Sequence, residues 1–290
     1  MDIRKWLRIS IAFGAANIKR WDYIDINNAE GSLEDLLSNT SLQNDPYLRK
    51  YRSITDDQLN SIIDMCDRHR IDIVTPDDKD YPYDLRFISN PPAVLFVLGD
   101  LSHLSRCAGT AIVGARDCSE YSSAVAYRFA LSLGADKVNI ISGLASGIDS
   151  AAHTGALDGG GVTTAVLGSG ILYDYPKGSM PLKKRIATRG AVISEYLPTA
   201  RPARENFKIR NRMITGLSDC ILVVEAGEKS GALNSANHAA EQGKEVFVIP
   251  PHDLYDPAYK GQTGLLADGA RLALSPDDIL EYIAEYYKWL

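Results

Sequence analysis

Residues 204–217, RENFKIRNRMITGL, set one aromatic ring among cations. Arg204, Lys208 and Arg212 recur at i, i+4 and i+8, with Arg210 beside the last of them and the amides Asn206 and Asn211 interspersed. Written as a helix at ~100° per residue, Ile209, Met213 and Leu217 share an apolar face that would dock on a sheet. Arg204, Lys208 and Arg212 then form a stripe on the opposite side. Phe207 projects beside the cations, Asn211 lies between it and the stripe, and Arg210 sits at the apolar edge within reach of strand ends. This combination suits an unpaired polynucleotide: cations follow phosphates, and each base stacked on a ring contributes ~1–3 kcal/mol. A duplex would keep its base faces from such a ring. Two plainer readings stay open on the residues alone. Phe207 packs with Ile214 as peripheral core, or the basic stripe is a solvated surface.

A second group of residues lies in short glycine turns. AIVGARD carries Gly114, Ala115 and Arg116; IISGLASGID carries Ser142, Gly143, Ser146 and Gly147; AVLGSGI carries Gly168, Ser169 and Gly170. Each follows a β-branched run. In an open α/β sheet ligands bind outside the carboxyl ends of the strands, where bare N–H groups and helix N-termini favour anions and glycine lets a phosphate approach the main chain. Three such turns suggest a phosphate-binding rim. None is a strict G-x-G-x-x-G or Walker loop, and small residues there also permit tight helix–sheet packing.

The elements that must position these residues are legible as alternating runs. From about residue 70, IDIV, AVLFVL, TAIVG, VNIIS, TTAVLG, GAVIS, CILVVEA and EVFVIP read as buried strands, with helical segments at 119–134, 147–158, 207–217 and 231–242. Continuous apolar strands between helices predict a mostly parallel sheet covered on both faces. The expected fold class is therefore α/β: a Rossmann-like, doubly wound domain over 65–290, preceded by a small helical domain over 1–64. In the latter, RKWLRISIAFGAANIKRWDYI with Gly14 as punctuation, SLEDLLS capped by Ser32, and SITDDQLNSIIDMCDRH capped by Thr55 with Leu59, Ile62 and Ile63 as its buried stripe read as helical. A helix-hairpin-helix-like unit and a plain three-helix module fit equally.

Bulk properties narrow the classes. The 290 residues carry a net charge of −6, but the segment from Pro176 to Arg212 holds ten basic residues against two acidic ones. A positive segment on a negative body is a local anion attractor; uneven salt-bridging is the alternative. No run is long and apolar enough to span a membrane, and the N-terminus lacks a secretory signal. Four scattered cysteines without a C-x-x-C pair argue for a reducing, cytoplasmic setting and against a zinc site.

At these residues the chain resembles the DNA-processing protein A family (DprA, also called Smf). The resemblance runs over roughly 74–282 in ordered blocks: TPDDKDYPYDLRFISNPPAVLFVLGDLSHL, AIVGAR, SGLASGIDSAAHTGAL, AVLGSGILYDYPKGS, ISEYLPTARPARENFKIRNRMITGLSD, VVEAGEKSGALNSANHAAEQGKEVFVIP and LLADGARLALSPDDIL. It implies a cytoplasmic, non-enzymatic protein without metal or other cofactor. Such a protein binds single-stranded DNA, protects incoming DNA in natural transformation, helps load the RecA recombinase and forms a homodimer through its Rossmann domain. Carried over by position, Arg116 and the run Asn206, Phe207, Arg210, Asn211 and Arg212 are the implied DNA contacts, with Gly114, Ser142 and Gly143 holding phosphate. The chain departs from the family at Ser146, where arginine is frequent, at Lys208 for proline, at Ala115 for serine and at Thr263 for asparagine. It ends at Leu290, so the resemblance implies no C-terminal winged-helix-like domain.

Two rival readings follow from other residues. The first is a nucleotide-binding Rossmann sensor or a phosphate-ester-processing enzyme: related folds process nucleoside phosphates with a P-G-G-x-G-T-x-x-E element, whose paired glycines and glutamate GEKSGALNSANHAAE lacks, and Asp149 and His153, four apart, are the nearest thing to a catalytic pair. The substitutions at Ser146 and Thr263 motivate the other, a degenerate family member acting as a protein-interaction module.

Overall fold

The computed structural model describes residues 3–15, 24–25 and 29–287. Its N-terminal part holds α1 (Ile3–Phe13), α2 (Ala29–Ser38), α3 (Pro46–Ser53) and α4 (Asp56–His69). The helical spacing read over residues 4–24, punctuated at Gly14, gives a helix that ends at Phe13, and the stretch at 16–23 lies outside the described residues. Ser32 is not a cap. It lies inside α2, which begins three residues earlier, and its hydroxyl accepts from Asp25 N at 3.1 Å. Thr55 is a cap: it and Gln58 form a reciprocal capping box, which satisfies two end groups of α4 at once. Of the apolar residues Leu59, Ile62 and Ile63 on α4, Leu59 packs fully buried and the other two are part-buried against the same core. α4 runs unbroken past the 64/65 division and stops at Arg70 in the left-handed region.

A nine-stranded sheet follows, built from β1 (Asp72–Val74), β2 (Leu95–Gly99), β3 (Gly109–Val113), β4 (Asn139–Ser142), β5 (Thr163–Leu167), β6 (Ala191–Ser194), β7 (Cys220–Val223), β8 (Glu245–Val248) and β9 (Arg271–Leu272). Their order is β1-β2-β6-β5-β4-β3-β7-β8-β9; β1–β2 and β2–β6 are antiparallel and every other pair is parallel. The connecting helices are α5 (Glu120–Ala135), α6 (Ile148–Asp158), α7 (Met180–Ala187), α8 (Arg204–Gly216), α9 (Gly231–Glu241), α10 (Lys260–Ala267) and α11 (Pro276–Tyr287). The doubly wound, mostly parallel sheet is thus the observed fold. Its antiparallel edge and the two-residue β9 are additions that the strand pattern alone did not indicate.

Strand alternation divides the core. Ile112, Ile140, Leu222 and Phe247 face α5, α6 and α11, and along the same side Ala165, Leu167, Val192 and Phe96 share a core with the N-terminal helices. Ala111, Val113, Ile141, Val166, Ile221 and Val223 face the other way, onto Met213 and Ile214 of α8 and Ala232, Ala236 and Ala239 of α9. Trp6 Nε1 donates to Asp77 at 2.8 Å, a further tie between α1 and the sheet region.

The path of α8 decides what its residues can do. The chain leaves β6 at one side of the sheet and enters β7 on the far side of β5, β4 and β3, so α8 crosses the face beneath them. Its first turns stand at the carboxyl ends of the strands. Its last turns run under the sheet, where Ile88 and Leu85 close over Gly216. Every residue from Arg210 to Gly216 is buried as a result.

Candidate nucleic-acid interface

β3 is flanked by β4, which the chain enters next, and by β7, which it reaches only after the α8 crossover. That reversal of winding is the topological switch point, where open α/β sheets form their crevice. A cleft of about 740 Å3 opens there, between the turn 114–117 after β3, the first turns of α8 and the segment 227–231 leading into α9.

Four cations stand on this cleft with exposed side chains: Arg116, Arg204, Lys208 and Lys229. Phe207 is half-buried at its rim. The Arg116 guanidinium lies 4.9 Å from the Phe207 ring centroid, and the Tyr175 ring lies 5.2 Å away at a tilt of 30°. Gly168 makes room for the ring, since a Cβ there would lie 2.6 Å from Phe207 Cδ1. Phe207 is therefore neither sealed core nor free-standing.

The rest of the predicted stripe is turned inward. Arg212 is 4% exposed; it donates through Nη2 to Glu195 Oε2 at 2.5 Å, through Nε to Asn90 O at 3.0 Å and through Nη1 to Ile209 O at 3.1 Å. The helical wheel put it beside Lys208 on a solvent face, but by the third turn α8 has no such face, because the 83–90 segment and α9 cover it. Arg210 reaches the strand ends and donates through Nη1 to Gly143 O at 2.8 Å and to Val166 O. Burial pushes its guanidinium down to about 10, with the charge of Asp149 opposing that shift. Burial likewise pushes the Asp149 carboxyl up, held back by Arg210 and by the N–H groups of Ala145 and Gly143. Asn211 bridges α8 to α9: its Nδ2 donates to Gly231 O at 3.3 Å and Asn234 Oδ1 at 3.2 Å, and its Oδ1 accepts from Arg210 Nε at 3.2 Å. Asn206, in the first turn, accepts at its carbonyl from the Tyr196 hydroxyl at 3.3 Å and is not among the residues lining the cleft.

The glycine turns likewise belong to the protein before any ligand. Ser142 is fully buried and donates through Oγ to Ile112 O at 2.6 Å. The Gly143 N–H is held by Asp149 at 3.1 Å, and the Arg210 guanidinium occupies the space a side chain would need. A Cβ on Gly114 would lie 2.5 Å from Ile148 Cγ1. Gly114 and Ala115 line the cleft, whereas Ser142 and Gly143 lie beneath it, so the expected phosphate cradle at these two residues is filled by side chains of α6 and α8. His153 does not pair with Asp149. Its ring is fully buried and meets Thr163 Oγ1 at 2.7 Å through Nδ1, and burial pushes the imidazole down to about 3.

The ten basic residues of 176–212 consequently do not form one patch. Lys183, Arg210 and Arg212 are buried, Arg185 pairs with Asp158 at 2.7 Å, and only Arg204 and Lys208 bring an exposed charge to the cleft. Lys229 and Tyr175 were missed by the reading of single segments. Each sits in a different loop, and only the sheet order brings them to Phe207.

An open, doubly wound α/β protein with a cationic, ring-bearing crevice at its switch point is the class that fold and site define. Residues 72–284 carry this whole assembly and match the family described as DNA recombination-mediator protein A; the chain belongs to that family. It is 37% identical over 215 residues to the DNA processing protein DprA of Bacillus subtilis, covering 74% of this chain and 72% of that protein. It is 40% identical over 210 residues to the protein Smf of Synechocystis, covering 71% of this chain and 52% of that longer protein. The X-ray structure of DprA from Streptococcus pneumoniae superposes with a TM-score of 0.84 at 31% identity, over 97% of this chain and 98% of that one. A structure of the Helicobacter pylori protein, described for its single-stranded DNA binding mode, superposes with a TM-score of 0.66 at 28% identity, over 73% and 96% of the two chains.

Proposed function

We propose that this chain is a non-enzymatic single-stranded DNA-binding protein, and that the cleft at the switch point is where the strand lies. The observation that carries the reading is the meeting of exposed Arg116, Arg204 and Lys208 with the half-exposed ring of Phe207 on one rim. Cations beside an accessible aromatic face favour a flexible polyanion whose bases are free to stack. The single-stranded DNA binding of the Helicobacter pylori relative supports the same assignment. In this reading Arg116, Arg204, Phe207 and Lys208 touch DNA, Gly114 and Ala115 form the floor, and Arg210, Asn211, Arg212, Ser142 and Gly143 hold the floor in place. Protection of incoming DNA, delivery to the RecA recombinase, a homodimer and a cytoplasmic setting belong to this proposal, as does a helical N-terminal unit whose limit falls at Arg70. Among the described residues no helix is long and apolar enough to cross a membrane.

The test is fluorescence anisotropy with labelled oligo-dT and with duplex DNA at two salt concentrations. Saturable binding to the single strand is expected, weakening with salt by ~0.7 in log–log slope for each neutralised phosphate. Lys208→Ala lowers that slope by about 0.7, whereas Phe207→Ala weakens affinity and leaves the slope. Absence of saturable binding at low salt refutes the reading, and turnover of nucleoside phosphates refutes its non-enzymatic part.

A further inference from the structure

The loop after β5 is held more firmly than a surface connection requires. Gly170 N donates to Ala200 O at 2.9 Å and Leu172 N to Pro198 O at 2.9 Å, which ties the loop to the 197–200 segment. From below, Lys183 of α7, wholly buried, donates through Nζ to Ile171 O at 3.1 Å and to Tyr173 O at 2.5 Å. Beyond these, the Asp174 carboxylate accepts from Gly178 N at 2.9 Å, Ser179 N at 3.0 Å, Ser179 Oγ at 3.2 Å and Met180 N at 3.3 Å. Tyr175 stands between these two clamps. Burying a lysine is costly unless it is hydrogen-bonded, and here two of its three donors go to the carbonyls of Ile171 and Tyr173, which fix the approach to Tyr175.

What the clamps hold is a ring at the mouth of the cleft. Tyr175 lines both the large cleft and the small adjoining cavity under Gly168 and Phe207. Its ring is half-buried against Phe207, with centroids 5.2 Å apart. Two rings this close leave no room for a base between them, since each aromatic layer needs about 3.5 Å on either side. They overlap instead as one offset pair, so a base that meets them stacks on an outer face of the pair. On the reading that the cleft takes single-stranded DNA, we propose that Tyr175 is a second base-stacking residue of the site, and that Lys183 is its positioning residue through the carbonyls of Ile171 and Tyr173.

Stacking needs the base and not the phosphate, so the probe pair is labelled oligo-dT and an abasic deoxyribose-phosphate strand of equal length. Tyr175→Ala is expected to weaken oligo-dT binding about fivefold to a hundredfold, the range of one lost stacked base, with no change in salt slope. Its effect on the abasic strand is absent, while Tyr175→Phe binds both strands as the wild type does. Lys183→Met weakens oligo-dT binding, and in the double variant with Tyr175→Ala it adds nothing, because a positioning residue acts only through the ring it positions. With 5-iododeoxyuridine in the oligonucleotide, ultraviolet crosslinking labels Tyr175 in the wild type and loses that label in Lys183→Met. Equal losses on both strands, or a Tyr175→Ala variant that binds oligo-dT normally while Phe207→Ala does not, overturn the inference and leave the cleft assignment standing. A wild type that binds neither strand overturns both.

Discussion

Arg212→Met removes a guanidinium from a pocket it shares with Glu195 and keeps a side chain about as long as the arginine's aliphatic stem. The two side chains are 5% and 1% exposed, and their contact is 2.5 Å. Loss of the arginine removes the ion-pair partner of the Glu195 carboxylate in a dry site, and removing one partner of a buried pair costs ~3–5 kcal/mol. The carbonyls of Asn90 and Ile209 each lose the hydrogen bond that Arg212 donates as well. Set against a total stability on the order of 5–15 kcal/mol, that is a large fraction. It corresponds to a fall in Tm on the order of 10 °C for a domain of this size. Thermal unfolding followed by circular dichroism measures it. Anisotropy at several salt concentrations measures the other half of the prediction: Arg212 does not reach the cleft, so folded variant binds oligo-dT with the wild-type salt slope. The double variant Arg212→Met/Glu195→Leu recovers most of the lost stability, since apolar replacement of a whole buried pair is often neutral or better. The reasoning is refuted by an Arg212→Met protein that melts with the wild type yet loses about 0.7 of salt slope, the signature of a lost phosphate contact.

Three other perturbations probe separate parts of the argument. Gly168→Ala places a methyl against Phe207, 2.6 Å from Cδ1; overpacking of ~1–3 kcal/mol is relieved by moving the ring, so oligo-dT affinity falls while the salt slope stays, and an unchanged affinity would place the ring outside the binding surface. Burial pushes the Lys183 ammonium from 10.5 to about 8, so between those pH values the unfolded chain binds more protons and stability rises with pH; the stability of Lys183→Met relative to wild type therefore falls by up to about 3 kcal/mol across that window, and urea unfolding that shows a flat difference contradicts it. Thr55→Ala opens the capping box of α4 and costs about 1 kcal/mol with no change in DNA affinity, as chemical denaturation beside the same anisotropy assay will show.

Much of the fold could be read from the chain because buried parallel strands and amphipathic helices write their periods directly into the sequence. The runs CILV, TTAVL and NIIS became β7, β5 and β4, and the helix cap at Thr55 was visible in the sequence, while its reciprocal partner Gln58 came from the structure. Periodicity was less informative for α8. A wheel assigns faces from one helix alone, and it holds only where one side meets solvent. That condition is met at Lys208 and fails one turn later at Arg212, where α9 and the 83–90 segment cover the helix. The same limit applies to the glycine turns: Gly143 and Gly168 look like room for a phosphate in the sequence, and in the fold that room is taken by Arg210 and Phe207.

By itself the sequence determined the type of fold, the order of its strands along the chain, the family, and the concentration of cations around one phenylalanine, all of which are local patterns or ordered motifs. Tertiary structure alone decided which cations face solvent and which are struts, because that depends on the crossover that carries α8 beneath three strands. It also decided that Tyr175 and Lys229, distant along the chain, stand with Phe207 on one cleft. Burial and proximity are set by what packs against a residue, and those neighbours come from elsewhere in the chain.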